Sequence, residues 1–170
     1  MNELLTDRLR LWPFDLPAYE AAIAGEEALA AHLGAPVATR WIEYPEALPY
    51  WLHHLRDRPE LRPWALYGYF DRSTGELIGG GGFKGSPSAD GMVEIGYGLA
   101  PSHRGRGLAT EAALELVRFA FTQPDVRAVV AHTLPADNES TRVLRRAGFS
   151  WAADVVDPDD GPVWQWRITR

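Results

Sequence analysis

The run Glu94-Ile-Gly-Tyr-Gly-Leu-Ala-Pro-Ser-His-Arg-Gly-Arg-Gly-Leu-Ala-Thr-Glu-Ala112 joins an alternating strand pattern, a glycine-punctuated basic loop and the start of a helix. That succession suits a diphosphate. Gly105 and Gly107 lack Cβ atoms, so the backbone there can come close to phosphate oxygens. The first N–H groups of a helix have no intrahelical partner, and the helix dipole favours an anion beside them. Arg104 and Arg106 add positive charge. A turn with a solvated basic face is the competing reading of the same residues.

Working outward, three strand-like runs precede the loop: Trp64 to Phe70, Leu77 to Lys84 and Met92 to Leu99. Turn signals at Asp71 to Gly75 and Gly85 to Gly91 separate them, which predicts an antiparallel meander. Upstream lie a short strand near Arg8 to Phe14, an alanine-rich helical region from Leu16 to Leu33 and a second helical piece, Pro45 to Arg58. Downstream, Gly107 to Thr122 reads as an amphipathic helix. Leu108, Ala109, Ala112, Ala113, Leu116, Val117 and Ala120 form its apolar face, with Glu111, Glu115, Arg118 and Thr122 opposite. Val126 to Thr133 suits a buried strand. A helix over about Glu139 to Ala147 follows, with Asn138 or Asp137 as its N-cap and Gly148 just past its end. Two last strands, Ser150 to Val156 and Val163 to Thr169, flank the turn residues Pro158 to Pro162. The expectation is an α+β fold spanning residues 1–170 as one domain, with a mostly antiparallel sheet of about six to seven strands and a strand-helix-strand unit in its second half.

Composition narrows the chemistry. The 170 residues are 46% apolar and 24% charged, and no apolar run approaches the roughly 20 residues of a membrane span. Met1 to Arg10 has neither a basic start nor a long apolar stretch, so no signal peptide and a cytoplasmic location are expected. With no cysteine, disulfides, thiolate metal sites and a sulfur nucleophile are excluded. The formal charge of −6 disfavours nucleic acid and favours a cationic acceptor.

Arg104-x-x-Gly107-x-Ala109 matches the Q/R-x-x-G-x-G/A motif of the GNAT acetyltransferases. Glu94-Ile-Gly-Tyr before it, Ala109-Thr-Glu-Ala within it and Ser140-Thr-Arg-Val-Leu-Arg-Arg-Ala-Gly-Phe149 after the next strand resemble the RimJ/RimL-like branch, which acetylates protein N-termini. The opening Leu5-Thr-Asp-Arg-Leu-Arg-Leu11 is similar too. The resemblance implies a GNAT fold with acetyl-CoA as co-substrate and no metal. It also implies a bulge that splays the strand ending near Leu99 from the one beginning near Val126. Backbone groups at Leu99 would pair with the pantetheine arm. The segment Arg104, Gly105, Arg106, Gly107, Leu108, Ala109 and Thr110 would hold the pyrophosphate. A homodimer is compatible with family habit.

Acetyl transfer needs a neutral amine, polarisation of the thioester carbonyl and a proton for the departing thiolate. Glu94 is the candidate base, because alternation puts Val93, Ile95, Tyr97 and Leu99 on one face and Glu94 on the other. A solvated strand glutamate is the plainer reading. Where many relatives carry a tyrosine as general acid, this chain has Leu144, which turns attention to Ser140 as the group that could hydrogen-bond the sulfur. Ser140 could equally serve a backbone N–H in the first helical turn. The family asparagine falls on Asp137, with Asn138 one place later as a possible pantetheine contact or a simple cap. His132 could assist as base or sit satisfied in the sheet, and His103 could contact the nucleotide or be solvated. Gly79 to Gly82 lacks a phosphate-loop context and reads as a tightly packed strand. Trp41, Tyr44, Tyr50 and Trp51 either wall the acceptor pocket or pack the core. The expected acceptor is a protein or peptide N-terminus. Small amines such as antibiotics or polyamines come next, and a noncatalytic acyl-CoA-binding module is the rival.

Overall fold

The computed structural model describes residues 3–170, so Met1 and Asn2, the start of the stretch read for a leader, lie outside the described residues. Strands β1 (Leu4–Leu5), β2 (Leu9–Pro13), β3 (Leu66–Asp71), β4 (Leu77–Phe83), β5 (Met92–Leu99), β6 (Ala128–Thr133), β7 (Ser150–Asp157) and β8 (Gly161–Thr169) form one sheet in the order β1-β2-β3-β4-β5-β6-β8-β7. Seven were expected at most. The eighth is the two-residue β1, too short for any periodicity to register. Every pairing is antiparallel except β5 with β6.

That parallel pair is joined by α4 (Leu108–Thr122), as a crossover connection requires. Together with α5 (Glu139–Arg146), α4 packs on one face of the sheet, burying Leu108, Ala112, Leu116 and Leu144 against Leu9, Ile78, Val93, Ile95 and Val129. On the other face lie α1 (Leu16–Ala24), α2 (Glu26–Leu33) and α3 (Ala47–Asp57), packed over Phe14, Leu66, Phe70 and Leu77. Among the described residues, no helix is long and apolar enough to cross a membrane.

Three readings are sharpened. The alanine-rich region is two helices, because Gly25 at φ 124° leaves helical space and ends α1, while its carbonyl accepts from Leu29 to open α2. Glu115 is not on a solvated face: it is only 7% exposed and is held by Arg118, whose Nε donates to Oε2 at 2.8 Å. The four aromatics of the helical region divide, with Trp41 and Trp51 in the core and Tyr44 and Tyr50 exposed. The glycine run in β4 is close packing, as read: a Cβ on Gly81 would come within 2.3 Å of the Gly96 carbonyl and the Tyr69 hydroxyl.

Candidate functional site

β5 and β6 pair only from Met92–Ala128 to Glu94–Val130. Both strands then run on without each other, β5 to Leu99 and β6 to Thr133. The splay implied by the resemblance is therefore present. β5 nonetheless keeps continuous register with β4 from Ile95 to Leu99, so the parting is a divergence of two strands and not a bulge against β4.

Beside this opening lies a cleft of about 250 Å³. Leu99, Arg104, Gly105, Gly107, Leu108, Ala109, Thr110 and Ser140, all read from the sequence as binding residues, line it. Gly107 takes φ 78° and ψ 5° at the N-terminus of α4, and among the described residues no side chain caps that helix. The first amide satisfied from within is that of Glu111, which donates to the Gly107 carbonyl at 3.1 Å. The preceding turn of amides thus remains available at the cleft. The buried Thr110 hydroxyl, also on the wall, has no hydrogen-bond partner among the described residues. An orphaned hydroxyl and a turn of unsatisfied N–H groups beside arginine side chains form a polar cradle that an anionic ligand would complete.

The loop is braced from a distance. Arg8 Nη1 donates to the Arg106 carbonyl at 2.8 Å, and its Nε to Glu111 Oε2 at 2.7 Å. Arg106 itself is not among the cleft residues. The Leu99 carbonyl already accepts from Arg104 Nε at 3.0 Å.

Asn138 is the N-cap of α5. Its Oδ1 accepts from the Thr141 amide at 3.0 Å, its own amide donates to Thr141 Oγ1 at 3.0 Å, and it does not line the cleft. This reciprocal box relieves Ser140 of any capping duty, and its exposed side chain reaches the cleft while its carbonyl accepts from the Tyr97 hydroxyl at 3.1 Å. Burial pushes the Tyr97 phenol above its usual range. Leu144, at the position of the family tyrosine, is fully buried.

Glu94 sits at the last paired step of β5 and β6, outside the residues that line the cleft. His132 Nδ1 lies 2.9 Å and Lys84 Nζ 2.5 Å from Glu94 Oε1, both at ion-pair distance without hydrogen-bond geometry to that atom. His132 Nε2 lies 3.1 Å from Gln165 Nε2, so the two ring nitrogens face different partners. His103 pairs with Glu76 at 3.4 Å and stands apart from the cleft lining.

Several residues were missed in the sequence reading. Glu139, Arg142, Val143 and Arg146 line the cleft from one face of α5, and their three- and four-residue spacing would have grouped them. Glu43 joins them from a loop with no local signal, its Oε2 standing over Gly98.

The model of the acetyltransferase (GNAT) domain matches residues 8–150. This chain belongs to the GNAT acetyltransferase family. It is 30% identical over 148 residues to the N-acetyltransferase YjdG of Bacillus subtilis, covering 86% of this chain and 88% of that one. Among solved structures, the RimL ribosomal alpha-N-protein acetyltransferase in complex with coenzyme A superposes with a TM-score of 0.73 at 18% identity, over 99% of this chain and 98% of its own. A spermidine N-acetyltransferase SpeG chimera from Vibrio cholerae and hSSAT gives 0.70 at 15% identity, over 96% of each chain. Those two likenesses concern the fold. Family membership makes the chain an N-acetyltransferase, and so an acyltransferase.

Proposed function

We propose that this enzyme moves the acetyl group of acetyl-CoA directly onto a primary amine, with a protein or peptide N-terminus as the leading acceptor and small amines next. The observation that carries the reading is the parting of β5 and β6 beside the uncapped first turn of α4. The residues fit the nucleotide end of an acyl-CoA: amides of the Arg104 to Thr110 segment and the unpartnered Thr110 hydroxyl for phosphate oxygens, with Arg104, Arg142 and Arg146 for their charge. A pantetheine arm that takes the Leu99 carbonyl as its partner releases Arg104 Nε from it and frees that guanidinium for the phosphates.

Bound acetyl-CoA supplies an activated thioester. The acceptor nitrogen bonds to its carbonyl carbon, the carbon–sulfur bond breaks and sulfur takes a proton. Ser140 is assigned as the donor toward sulfur, its proton replaced by the second proton that the nitrogen sheds as the amide forms, because the capping box leaves its side chain no backbone task. Glu94, steadied by His132 and Lys84 where the strands part, takes the proton from the incoming ammonium, directly or through one water. The N-terminal acceptor is supported by the RimJ/RimL-like pattern from Ser140 to Phe149, and the acidic chain suits any cationic amine.

The test is thiol release from acetyl-CoA against N-terminal peptides, polyamines and aminoglycosides, run beside Glu94→Gln. Acceptor-dependent release that falls about a hundredfold in the variant, with CoA affinity unchanged, is expected. CoA binding without release for any acceptor would support the noncatalytic module, and absence of CoA binding would overturn the reading.

A further inference from the structure

The last hairpin carries a second concavity that shares no lining residue with the cleft. Trp151 of β7 stands directly opposite Trp166 of β8, and Asp154 opposite Trp164. Alternation puts Trp164 and Trp166 on one face of β8, and the register shift between Trp151 and Ala153 brings Asp154 to the same face of β7 as Trp151, so that with Arg145 the four side chains line a cup of about 310 Å³. The Trp164 and Trp166 rings meet at 68° with centroids 6.3 Å apart, forming two walls. Trp166 is fixed, its Nε1 donating to Thr133 Oγ1 at 3.0 Å, whereas Trp151 is 53% exposed and forms the rim.

Two features say what chemistry the cup takes. Arg145 already rests its guanidinium carbon 5.3 Å from the Trp166 ring, so one organic cation occupies this surface within the molecule itself. Asp154 has no hydrogen bond or ion pair among the described residues, leaving a carboxylate facing indoles without a cation of its own. Indole faces attract cations most strongly among the aromatic side chains, and weakly hydrated cations lose least on entering. A neutral apolar guest would instead desolvate the Asp154 carboxylate with nothing to offset the loss.

We propose that this cup binds a small, weakly hydrated organic cation, of quaternary ammonium or guanidinium chemistry, between Trp151, Trp164 and Trp166 and against Asp154. The guest takes the place of Arg145 on the Trp166 face, and Arg145 keeps its bond to Asp137, 2.7 Å away. A small free cation fits better than a peptide, because Arg145 closes one side.

The test titrates choline chloride into isotope-labelled protein and follows the indole N–H signals of the seven tryptophans. Sodium chloride at equal ionic strength and the uncharged carbon isostere of choline serve as controls. Saturable shifts confined to Trp151, Trp164 and Trp166 are expected with choline alone. Asp154→Asn and Trp151→Ala, both at exposed positions, should each weaken binding about tenfold, with the signals of Trp12 and Trp41 unmoved as the check on folding. The proposal is overturned if the uncharged isostere shifts the same signals equally, if sodium chloride reproduces them, or if both variants bind choline as the parent does.

Discussion

Replacing Gly107 with alanine separates the cost of a strained backbone from the cost of a blocked ligand. Gly107 holds φ 78° at the start of α4, and an L-residue forced into that region costs about 1–2 kcal/mol. Space is not the problem: the new Cβ would meet only Arg8 Nη2, at an ordinary 3.5 Å. For a chain of this size the strain lowers the melting temperature by about 2–8 °C. Binding suffers more, because the methyl group stands at the backbone that phosphates must approach. Each lost hydrogen bond to a charged group costs about 1.5–3 kcal/mol, so the Kd for CoA rises about ten- to a hundredfold. Gly34 is the control, with φ 61°, nothing within 4 Å of a Cβ, and a place at the end of α2 on the opposite face. Gly34→Ala should lose similar thermal stability and bind CoA normally, by melting curves and titration calorimetry. If Gly107→Ala binds CoA within about twofold of the parent, where about tenfold corresponds to 1.4 kcal/mol, the phosphates do not pass this backbone and the reasoning fails.

Ser140→Ala should lower kcat by about a hundredfold while leaving CoA affinity and melting temperature unchanged; an unchanged kcat removes Ser140 from the proton path. Asn138→Ala dismantles the cap of α5 at about 1 kcal/mol, lowering the melting temperature by about 2–4 °C, and a melt identical to the parent's would mean that Thr141 alone holds the helix start. Glu111 gives a pH dependence. Partial burial raises its carboxyl, but the Thr6 hydroxyl, the Arg8 amide and the Arg8 guanidinium together pull it below the usual carboxylate range. A carboxyl depressed in the folded state stabilises above its unfolded value, and that contribution disappears as the pH falls through the folded value. Glu111→Gln should therefore be less stable than the parent near neutrality and converge with it in acid. Denaturant melts across a pH series decide this, and parallel curves would refute it.

The elements that were legible are those in which one signal dominates. β5 begins at Met92 and ends at Leu99 as read, because strict alternation is bounded by a glycine turn and a proline. α4 is legible from its apolar stripe, which puts Glu115 on the polar face, yet only the fold shows Arg118 folded back over it and the carboxylate buried. The break at Gly25 was lost in alanine periodicity that runs through it. At the site, the phosphate loop was legible because its residues are contiguous. Arg142 and Arg146 of α5 lie inside the Ser140 to Phe149 motif, and it is their four-residue helical spacing, not the motif's text, that turns both to the cleft. Lys84 and Gln165 come from two other strands or their ends, and no local pattern records that the sheet brings them beside Glu94 and His132, nor that Glu43 reaches the cleft from a loop.

Contiguity also conceals why the loop can work. Gly105 and Gly107 both hold positive φ, and a segment with such freedom would lose about 1–2 kcal/mol per residue on being ordered by a ligand. Arg8 removes part of that cost in advance. It grips the Arg106 carbonyl between the two glycines and anchors to Glu111 one turn into α4, while Thr6 binds the same carboxylate. The similarity of the opening Leu5 to Leu11 segment to the family is thus physical as well as textual: the turn between β1 and β2 carries the clamp that fixes the backbone through which the cofactor is held. Arg8→Ala should accordingly weaken CoA binding although Arg8 does not line the cleft. Arg8→Lys should not restore it, since an ammonium cannot donate along the two directions that the guanidinium fork spans. Full recovery of CoA affinity by lysine would reduce the clamp to a simple charge.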